Sequence, residues 1–474
     1  MQNGPHEECG IFGVRTRFDE AAELSYHALL ALQHRGQEGA GIAVLKERSI
    51  LYHKNVGLVS EVFTPPVLEK LPHAHCAIGH VRYSTTGSNT RGNAQPMVKE
   101  FLRGRIAAAH NGNILNAADI RRFLCEAGCD FAATNDSEVI ASLIAYEALC
   151  CGDVEEAVER AAKKLVGAFT LLVLSSDGRL FAVRDGNGFR PLCLGRQGED
   201  VAVASESCAL ESTGFSFVRD ITPGEMVVIE ENGRVKSRLV LPGKKRGMCV
   251  FEYVYFARTD SVLDGLSVYE ARLRMGAALF RECPVPADIV CGVPDSGLAA
   301  ALGYARESGL PYAPAFVKNR YIGRSFIFPT QAQRDAAVRL KLSPLAASVR
   351  GKRVVLVDDS IVRGTTGAKI VASLKSAGAK EVHLRICSPP FRHACHFGTD
   401  IDDPDTLIAN RLSPGETAEN MGADSLGYIS LKALLCCCGG QGRQFCDGCF
   451  SGRYPIERPE SRKNLFEGAL PQEP

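Results

Sequence analysis

The chain has 474 residues, of which 45% are hydrophobic and 23% charged, and its formal net charge is +1. A length of this order accommodates about two to four domains, and the composition is that of an ordinary globular protein. The near-neutral balance argues against wholesale binding to nucleic acid, and no apolar run is long enough to span a bilayer, so neither nucleic acid nor membrane is an expected partner.

Residues 1–8 have no basic n-region and no apolar h-region, so they are not a secretory signal. Eighteen cysteines are scattered along the chain. In a long chain that is not a small secreted scaffold, such thiols are expected to be reduced, catalytic or metal-bound, and the cytoplasm is the expected compartment. Up to about residue 240 the pattern is rich in strands, predicted at 77–78, 105–109, 169–174, 180–184 and 226–230. Apolar spacing predicts helices at 136–148 and 155–165. Residues 241–247, Leu-Pro-Gly-Lys-Lys-Arg-Gly, break the pattern and read as a linker. Beyond it, predicted strands 288–292 and 353–357 are each followed by a helix, at 298–307 and 366–377, and 381–386 is a further strand. That alternation predicts a parallel sheet. Residues 455–474 are charged and proline-bearing, and read as a loosely held tail.

The segment from Val354 to Thr366 carries the most chemistry. Four apolar residues make a buried strand, Asp358 and Asp359 stand at its C-terminal end, and a hydroxyl-rich turn with Gly364 leads into a helix. Ligands of open α/β sheets bind at the C-terminal ends of strands, and a helix N-terminus offers unpaired N–H groups to an anion. Ser360, Thr365 and Thr366 add hydroxyl donors for a phosphate. The two carboxylates suit ribose hydroxyls or a hydrated divalent cation instead. Phosphate, ribose and metal together point to a phosphoribosyl group, and the segment resembles the signature of type I phosphoribosyltransferases, which use phosphoribosyl pyrophosphate (PRPP). A second strand and turn, Asp288 to Gly297, would bring backbone N–H groups to a diphosphate. The resemblance makes it the pyrophosphate loop, with Ser296, Asp358 and Asp359 near Mg²⁺ and Asp358, Asp359, Ser360, Gly364, Thr365 and Thr366 on PRPP. Between Lys318 and Arg353 nine Lys or Arg residues face one acid, Asp335. PRPP is a simpler account of that excess than nucleic acid, because no basic helix with interleaved aromatics is present. The glycine and polar content of residues 318–324 reads as a loop able to close over the site.

In the first half, Cys9 directly precedes an apolar strand-like stretch. His34-Arg35-Gly36-Gln37, Gly79-His80-Val81-Arg82-Tyr83-Ser84-Thr85, His110-Asn111-Gly112-Asn113 and Asn135-Asp136-Ser137-Glu138 follow. In order and spacing these motifs resemble the glutamine amidotransferase domain of the N-terminal nucleophile (Ntn) hydrolases. The resemblance implies that Cys9 is the nucleophile and that its freed α-amino group, with a pKa near neutrality, is the base. It gives Asn111 and Gly112 the oxyanion hole, Arg82 the glutamine α-carboxylate and Asp136 the α-ammonium. Arg35 would support the nucleophile, whereas His34, His80 and His110 read as loop stabilisers. Eight residues precede Cys9, so residues 1–8 read as a propeptide removed between Glu8 and Cys9.

Near the C-terminus, Cys446-Asp447-Gly448-Cys449 is a C-x-x-C. With Cys249 in Met248-Cys249-Val250-Phe251-Glu252 and Cys395 in Ala394-Cys395-His396-Phe397-Gly398, its contexts resemble the glutamine phosphoribosylpyrophosphate amidotransferase family, in the form that carries a [4Fe–4S] cluster. Four thiolates are the usual cluster complement, and zinc on the same four remains the alternative. Cys436-Cys437-Cys438 read as helix-packing thiols. The resemblance implies an αββα sandwich at 9–243 and a mostly parallel α/β phosphoribosyltransferase domain at 244–454, followed by the tail at 455–474. It further implies the first step of purine nucleotide synthesis, in which glutamine, PRPP and water become 5-phosphoribosylamine, glutamate and pyrophosphate. Ammonia would move internally, Mg²⁺ and a [4Fe–4S] cluster would be the cofactors, and the chain would form a homo-oligomer, commonly a tetramer.

Overall fold

The computed structural model describes residues 9–83, 89–319, 342–399, 401, 403–440 and 444–457. The expected propeptide, Ser84 and Thr85, most of the basic loop, Asp400 and residues 458–474 of the tail lie outside them.

Two antiparallel sheets form the first half. One has seven strands in the spatial order Ser216–Asp220, Cys193–Gln197, Asp200–Ala204, Gly10–Arg15, Cys76–Arg82, Gly39–Lys46 and Ser49–Val56. The other has six, in the order Val235–Leu239, Glu225–Ile229, Leu180–Arg184, Gly167–Ser175, Gly104–Ile114 and Met97–Phe101. Side chains alternate across a strand, and here both faces are covered. Ile11, Ile78, Ala107 and Leu172 fill the core between the sheets. Phe12, Val14 and Ala77 turn outward onto helix Ala21–Ala31. On the far side, Ile106, Phe169 and Val173 pack against helices Asp136–Cys151 and Val154–Lys164. The layers are therefore helix, sheet, sheet, helix, as the resemblance implied. Residues 242–246 of the expected linker are exposed, and Gly247 then donates to the Asn187 carbonyl at 2.8 Å, so the chain leaves the sandwich along its surface.

The second half holds a four-stranded parallel sheet, Ile289–Gly292, Arg353–Asp358, Glu381–Ile386 and Ser425–Tyr428 in spatial order. Val354 and Leu356 enter one hydrophobic core and Val355 and Val357 the other, so the continuous apolar run Val354 to Val357 is a strand buried on both faces. Helices Gly297–Ser308 and Thr365–Ser376 follow the first two strands, within a residue of the predicted spans.

The halves join where Cys249 N donates to the Phe189 carbonyl at 3.1 Å, beside a short parallel pair, Met248–Cys249 with Phe445–Cys446, and a five-residue π-helix, Glu252–Phe256. Of the three adjacent cysteines, Cys437 and Cys438 are buried and Cys436 is exposed at the end of helix Leu431–Cys437, which fits packing thiols for two of the three.

Candidate functional site

The first site lies at the end of the paired strands Gly10–Arg15 and Cys76–Arg82. Gly10 pairs with Val81, so Cys9 and Arg82 end adjacent antiparallel strands side by side. The Cys9 thiol donates to the Tyr83 carbonyl at 3.4 Å, and Arg35 Nε donates to the Cys9 carbonyl at 3.0 Å. Burial lowers the Arg82 guanidinium from its ordinary value, while charge on Cys9, Glu38 and Asp136 around it works the other way. The expected nucleophile, the expected carboxylate clamp and the expected ammonium partner thus share one neighbourhood.

Asp136 opens helix Asp136–Cys151, whose N-cap Asn135 accepts from Glu138 N at 3.0 Å. Its Oδ2 accepts from Ile114 N at 3.1 Å, tying the helix start to the end of strand Gly104–Ile114. On the same strand edge, His110 N donates to Gln95 Oε1 at 2.7 Å. The two-residue period of a strand puts the Gly112 N–H on this edge, between two groups served by side chains rather than by a neighbouring strand. Gly112 has φ +141, and a Cβ there would lie 2.0 Å from the Ala168 carbonyl oxygen, so only glycine fits. Asn111 is 1% exposed, and its Nδ2 has no hydrogen-bond partner among the described residues. A buried amide donor left without an acceptor is costly unless an acceptor arrives during function.

His80 and His110 differ from the expectation. They sit inside strands, not loops, where His80 Nε2 meets the His110 carbonyl at 3.1 Å and joins the two sheets. Burial pushes both imidazoles below their ordinary value, so both are neutral at pH 7. His34 does hold a loop, through Glu206 Oε1 at 2.8 Å.

Behind Cys9 runs a buried ionic chain that sequence reading missed. Arg35 donates to Glu206 at 2.6 Å and to both oxygens of Glu252 at 3.0 and 2.9 Å, and Arg190 reaches Glu252 at 3.4 Å. Burial alone would raise the Glu206 carboxyl, but the His34 and Arg35 charges and the Ser261 hydroxyl hold it well below the usual range. A single acid in the apolar run Met248 to Ala257 was the available signal, because a buried charge needs a partner.

The second site lies at the C-terminal end of strand Arg353–Asp358, in a cleft of about 200 Å³ lined by Ser296, Asp358, Asp359, Ser360, Gly364 and Thr366 among others. Thr365, the first residue of the following helix, stands beside this lining. Gly364 has φ +81 and caps helix Thr365–Ser376, whose first N–H groups have no intrahelical partner. Both Ser296 and Ser360 hydroxyls donate to Asp359, which puts the two turns on one carboxylate. Burial, then the charge of Asp359, pushes Asp358 well above the usual carboxylate range. Asp359 is raised by burial too, against the Ser296 and Ser360 hydroxyls and the Arg272 charge. Two adjacent carboxyls raised in this way suit a divalent cation, which would favour their ionised forms. Arg272, also missed, donates to the carbonyls of Tyr253, Tyr255 and Ala257 at 2.9, 3.1 and 2.8 Å. The turn before helix Gly297–Ser308 carries a cis peptide between Pro294 and Asp295. From the basic segment, Lys318 pairs with Asp295.

The third group is the four cysteines. Cys249 pairs in register with Cys446, and both line one small closed cavity with Cys395 and Cys449, walled by Phe251, Phe391, Phe397 and Tyr454. Burial raises the Cys446 thiol to about 12, and burial followed by charge on Cys249, Cys395 and Cys446 raises Cys449 well above its ordinary value. Among the described residues no set of three or more His, Cys, Asp or Glu side chains is arranged to hold a single metal ion.

Residues 80–212 match the glutamine amidotransferase domain family and residues 261–388 the phosphoribosyl transferase domain family. The chain is thus an enzyme that joins an amidotransferase to a phosphoribosyltransferase. It is 48% identical to an amidophosphoribosyltransferase of Synechocystis over 96% of this chain and 92% of the relative, and 47% identical to one of Methanocaldococcus jannaschii over 95% and 98%. Among solved structures, a glutamine PRPP amidotransferase of B. subtilis complexed with ADP and GMP superposes with a TM-score of 0.88 at 41% identity, covering 95% of this chain and 98% of that one. An allosteric regulatory enzyme of purine biosynthesis superposes at 0.89 and 42% identity, covering 95% and 97%. The chain belongs to the amidophosphoribosyltransferase family, a family of glycosyltransferases. No described helix is long and apolar enough to cross a membrane.

Proposed function

We propose that the chain opens purine nucleotide synthesis, converting glutamine, PRPP and water to 5-phosphoribosylamine, glutamate and pyrophosphate. Its working units would be a glutaminase domain at 9–243 and a phosphoribosyltransferase domain at 244–454, with 1–8 removed. The observation that carries the reading is the unpartnered Asn111 amide, buried on the strand that also holds Gly112 and is tied to Asp136.

In the glutaminase half, Arg82 holds the substrate α-carboxylate and Asp136 its α-ammonium. The freed Cys9 α-amine takes the thiol proton and the thiolate attacks the side-chain amide carbon. Asn111 Nδ2 and Gly112 N–H receive the oxyanion. Collapse breaks the C–N bond, and the proton held by the α-amine leaves with the nitrogen as NH₃. Water then cleaves the thioester to glutamate and regenerates the thiol.

In the second half, the Ser360 and Thr366 hydroxyls, the Thr365 and Thr366 N–H groups and the Gly364 turn bind the 5-phosphate. Asp358 and Asp359 hold the ribose hydroxyls while positive charge develops at C1. Ser296, Asp358 and Asp359 would hold Mg²⁺, which supplies charge neutralisation for the departing pyrophosphate. Ammonia passing internally from the Cys9 site forms the new C1–N bond. The four cysteines fit a [4Fe–4S] cluster in donor type and number, and they leave no position open to substrate. Their part is structural: they tie residues 395 and 446–449 to the strand at 248–249.

Cys9→Ala tests the scheme. Glutamine-dependent synthesis should disappear, while ammonia-dependent synthesis stays within about twofold, since the second site needs only NH₃. The intact mass of active wild-type protein should correspond to a chain starting at Cys9. Equal loss of both activities would show that Cys9 is not the glutaminase nucleophile. Full glutaminase activity in a chain starting at Met1 would rule out its α-amine as the base.

A further inference from the structure

We propose that residues 396–398, in the phosphoribosyltransferase half, are a positioning strap for the oxyanion-hole stretch of strand Gly104–Ile114 in the glutaminase half. The inference rests on the assignment of Asn111 and Gly112 as the oxyanion donors.

Gly112 lies between two backbones. On one side is Ala168 of its own sheet, whose carbonyl oxygen leaves no room for a Cβ. On the other is Gly398, where a Cβ would come within 3.5 Å of Gly112 C and 3.7 Å of Gly112 O. A glycine at φ +141 has wide conformational freedom, and the direction of its N–H follows from its own backbone angles. The ladder with Gly167–Ser175, in which Gly112 pairs with Phe169, holds one side of this backbone and leaves the other to its neighbour. The strap borders that other side, and three contacts fix the strap. Asn113 Nδ2 donates to the His396 carbonyl at 2.9 Å. Arg190 Nη2 donates to the Phe397 carbonyl at 2.6 Å, from a guanidinium that also meets Glu252. Phe397 stacks on Phe189 with ring centroids 4.2 Å apart. Gly398 has φ +119, and a Cβ there would lie 2.9 Å from Arg190 Nη2, so the strap approaches this closely only as glycine.

None of residues 396–398 lines the Asp358 cleft. The strap should thus govern glutamine chemistry and leave phosphoribosyl transfer alone. Its contacts with Asn113, Arg190 and Phe189 lie beside Gly112, whereas Arg82 and Asp136 grip the far end of the substrate. It should therefore act on the transition state and not on substrate binding.

The test uses full-length Gly398→Ala and Asn113→Ala at saturating PRPP. The kcat for glutamine should fall about tenfold or more, below the 10²–10³ typical of losing a whole oxyanion donor. KM for glutamine and ammonia-dependent synthesis should each stay within about twofold. The γ-aldehyde of glutamate, which forms a tetrahedral adduct with the thiol, should lose affinity in step with kcat/KM, while glutamate binds as before. A strap serving only stability would not separate aldehyde from glutamate. Unchanged kcat and aldehyde affinity in both variants would overturn the inference, as would equal loss of ammonia-dependent synthesis. If Gly398→Ala does not fold, Asn113→Ala, which removes the hydrogen bond to the His396 carbonyl, decides alone. Asn111→Ala run in parallel separates the two claims. Full glutamine turnover there would overturn the oxyanion assignment, whereas its loss beside unaffected strap variants would overturn the strap only.

Discussion

Glu252→Gln is the sharpest probe of how the two halves are joined. Arg35, Glu206 and Glu252 side chains are 0% exposed and Arg190 is 1% exposed. Two cations and two anions thus balance out of reach of water. Glu252 Oε1 accepts from Arg35 Nη2 and Arg190 Nη1, and Oε2 accepts from Arg35 Nη1. Glutamine is nearly isosteric, but one of its two terminal atoms becomes an NH₂ donor. At either position that donor faces a guanidinium N–H, and one buried positive charge is left uncompensated. Breaking a buried pair by removing one partner costs about 3–5 kcal/mol, a large share of the roughly 5–15 kcal/mol that holds a domain folded. The chain has no tryptophan, so urea unfolding is best followed by far-UV circular dichroism. The variant should lose about 3 kcal/mol or more in the transition that includes the interface. Adding Arg190→Met restores neutrality, and the double variant should be less destabilised than the sum of the single changes. A Glu252→Gln protein within about 0.5 kcal/mol of wild type, the range of ordinary surface substitutions, would refute the idea that this buried quartet holds the halves together.

Two other outcomes follow from the sites. Anaerobically purified protein should contain iron and sulfide in about fourfold amount per chain, as the cubane requires, and Cys→Ser at Cys249, Cys395, Cys446 or Cys449 should yield insoluble chains; colourless protein with one zinc would replace the cluster by zinc on the same ligands. Burial raises Asp358 and Asp359, and the charge of Asp359 raises Asp358 as well, so protons compete with a cation there and the affinity of Cys9→Ala protein for Mg²⁺ with PRPP should rise with pH. Calorimetry in buffers of different ionisation enthalpy would reveal the released protons, and a proton count unchanged by Asp358→Asn would count against this reading.

Local pattern made much of the architecture legible. The Val354 to Val357 run, the N-cap at Asn135 and the turn at Gly364 are each encoded within a dozen residues, and strands and helices appear where their periods indicate. His80 and His110 misled because glycine and asparagine beside them look like loop chemistry. The strand Gly104–Ile114 nevertheless continues past its neighbour, since the Gln95 and Asp136 side chains accept the N–H groups that a partner strand would have taken. Nothing within the local sequence around His110 encodes that substitution. The Arg35–Glu252 pair was illegible for a related reason: its members stand 217 residues apart, and a charge in an apolar run announces a need for a partner without naming it.

These long-range contacts share a location. Arg35 reaches from the Cys9 carbonyl to Glu252, the first residue of the π-helix, and Arg272 holds the carbonyls at residues 253, 255 and 257 of the same segment while its charge acts on Asp359. Arg190 connects Glu252 to the strap at 396–398, and Cys249 enters the same segment from the cysteine cavity. Apolar packing could have joined the halves at lower desolvation cost, since replacing buried ion pairs by hydrophobic residues is often neutral or stabilising. A seam of paired charges has a different property. Each guanidinium satisfies several acceptors at fixed angles, so the halves meet in one register, and that register is what sets the strap at 396–398 beside Asn113. On the proposed scheme, in which ammonia passes from one site to the other, a defined register is the physical requirement that a slippery apolar interface would not meet.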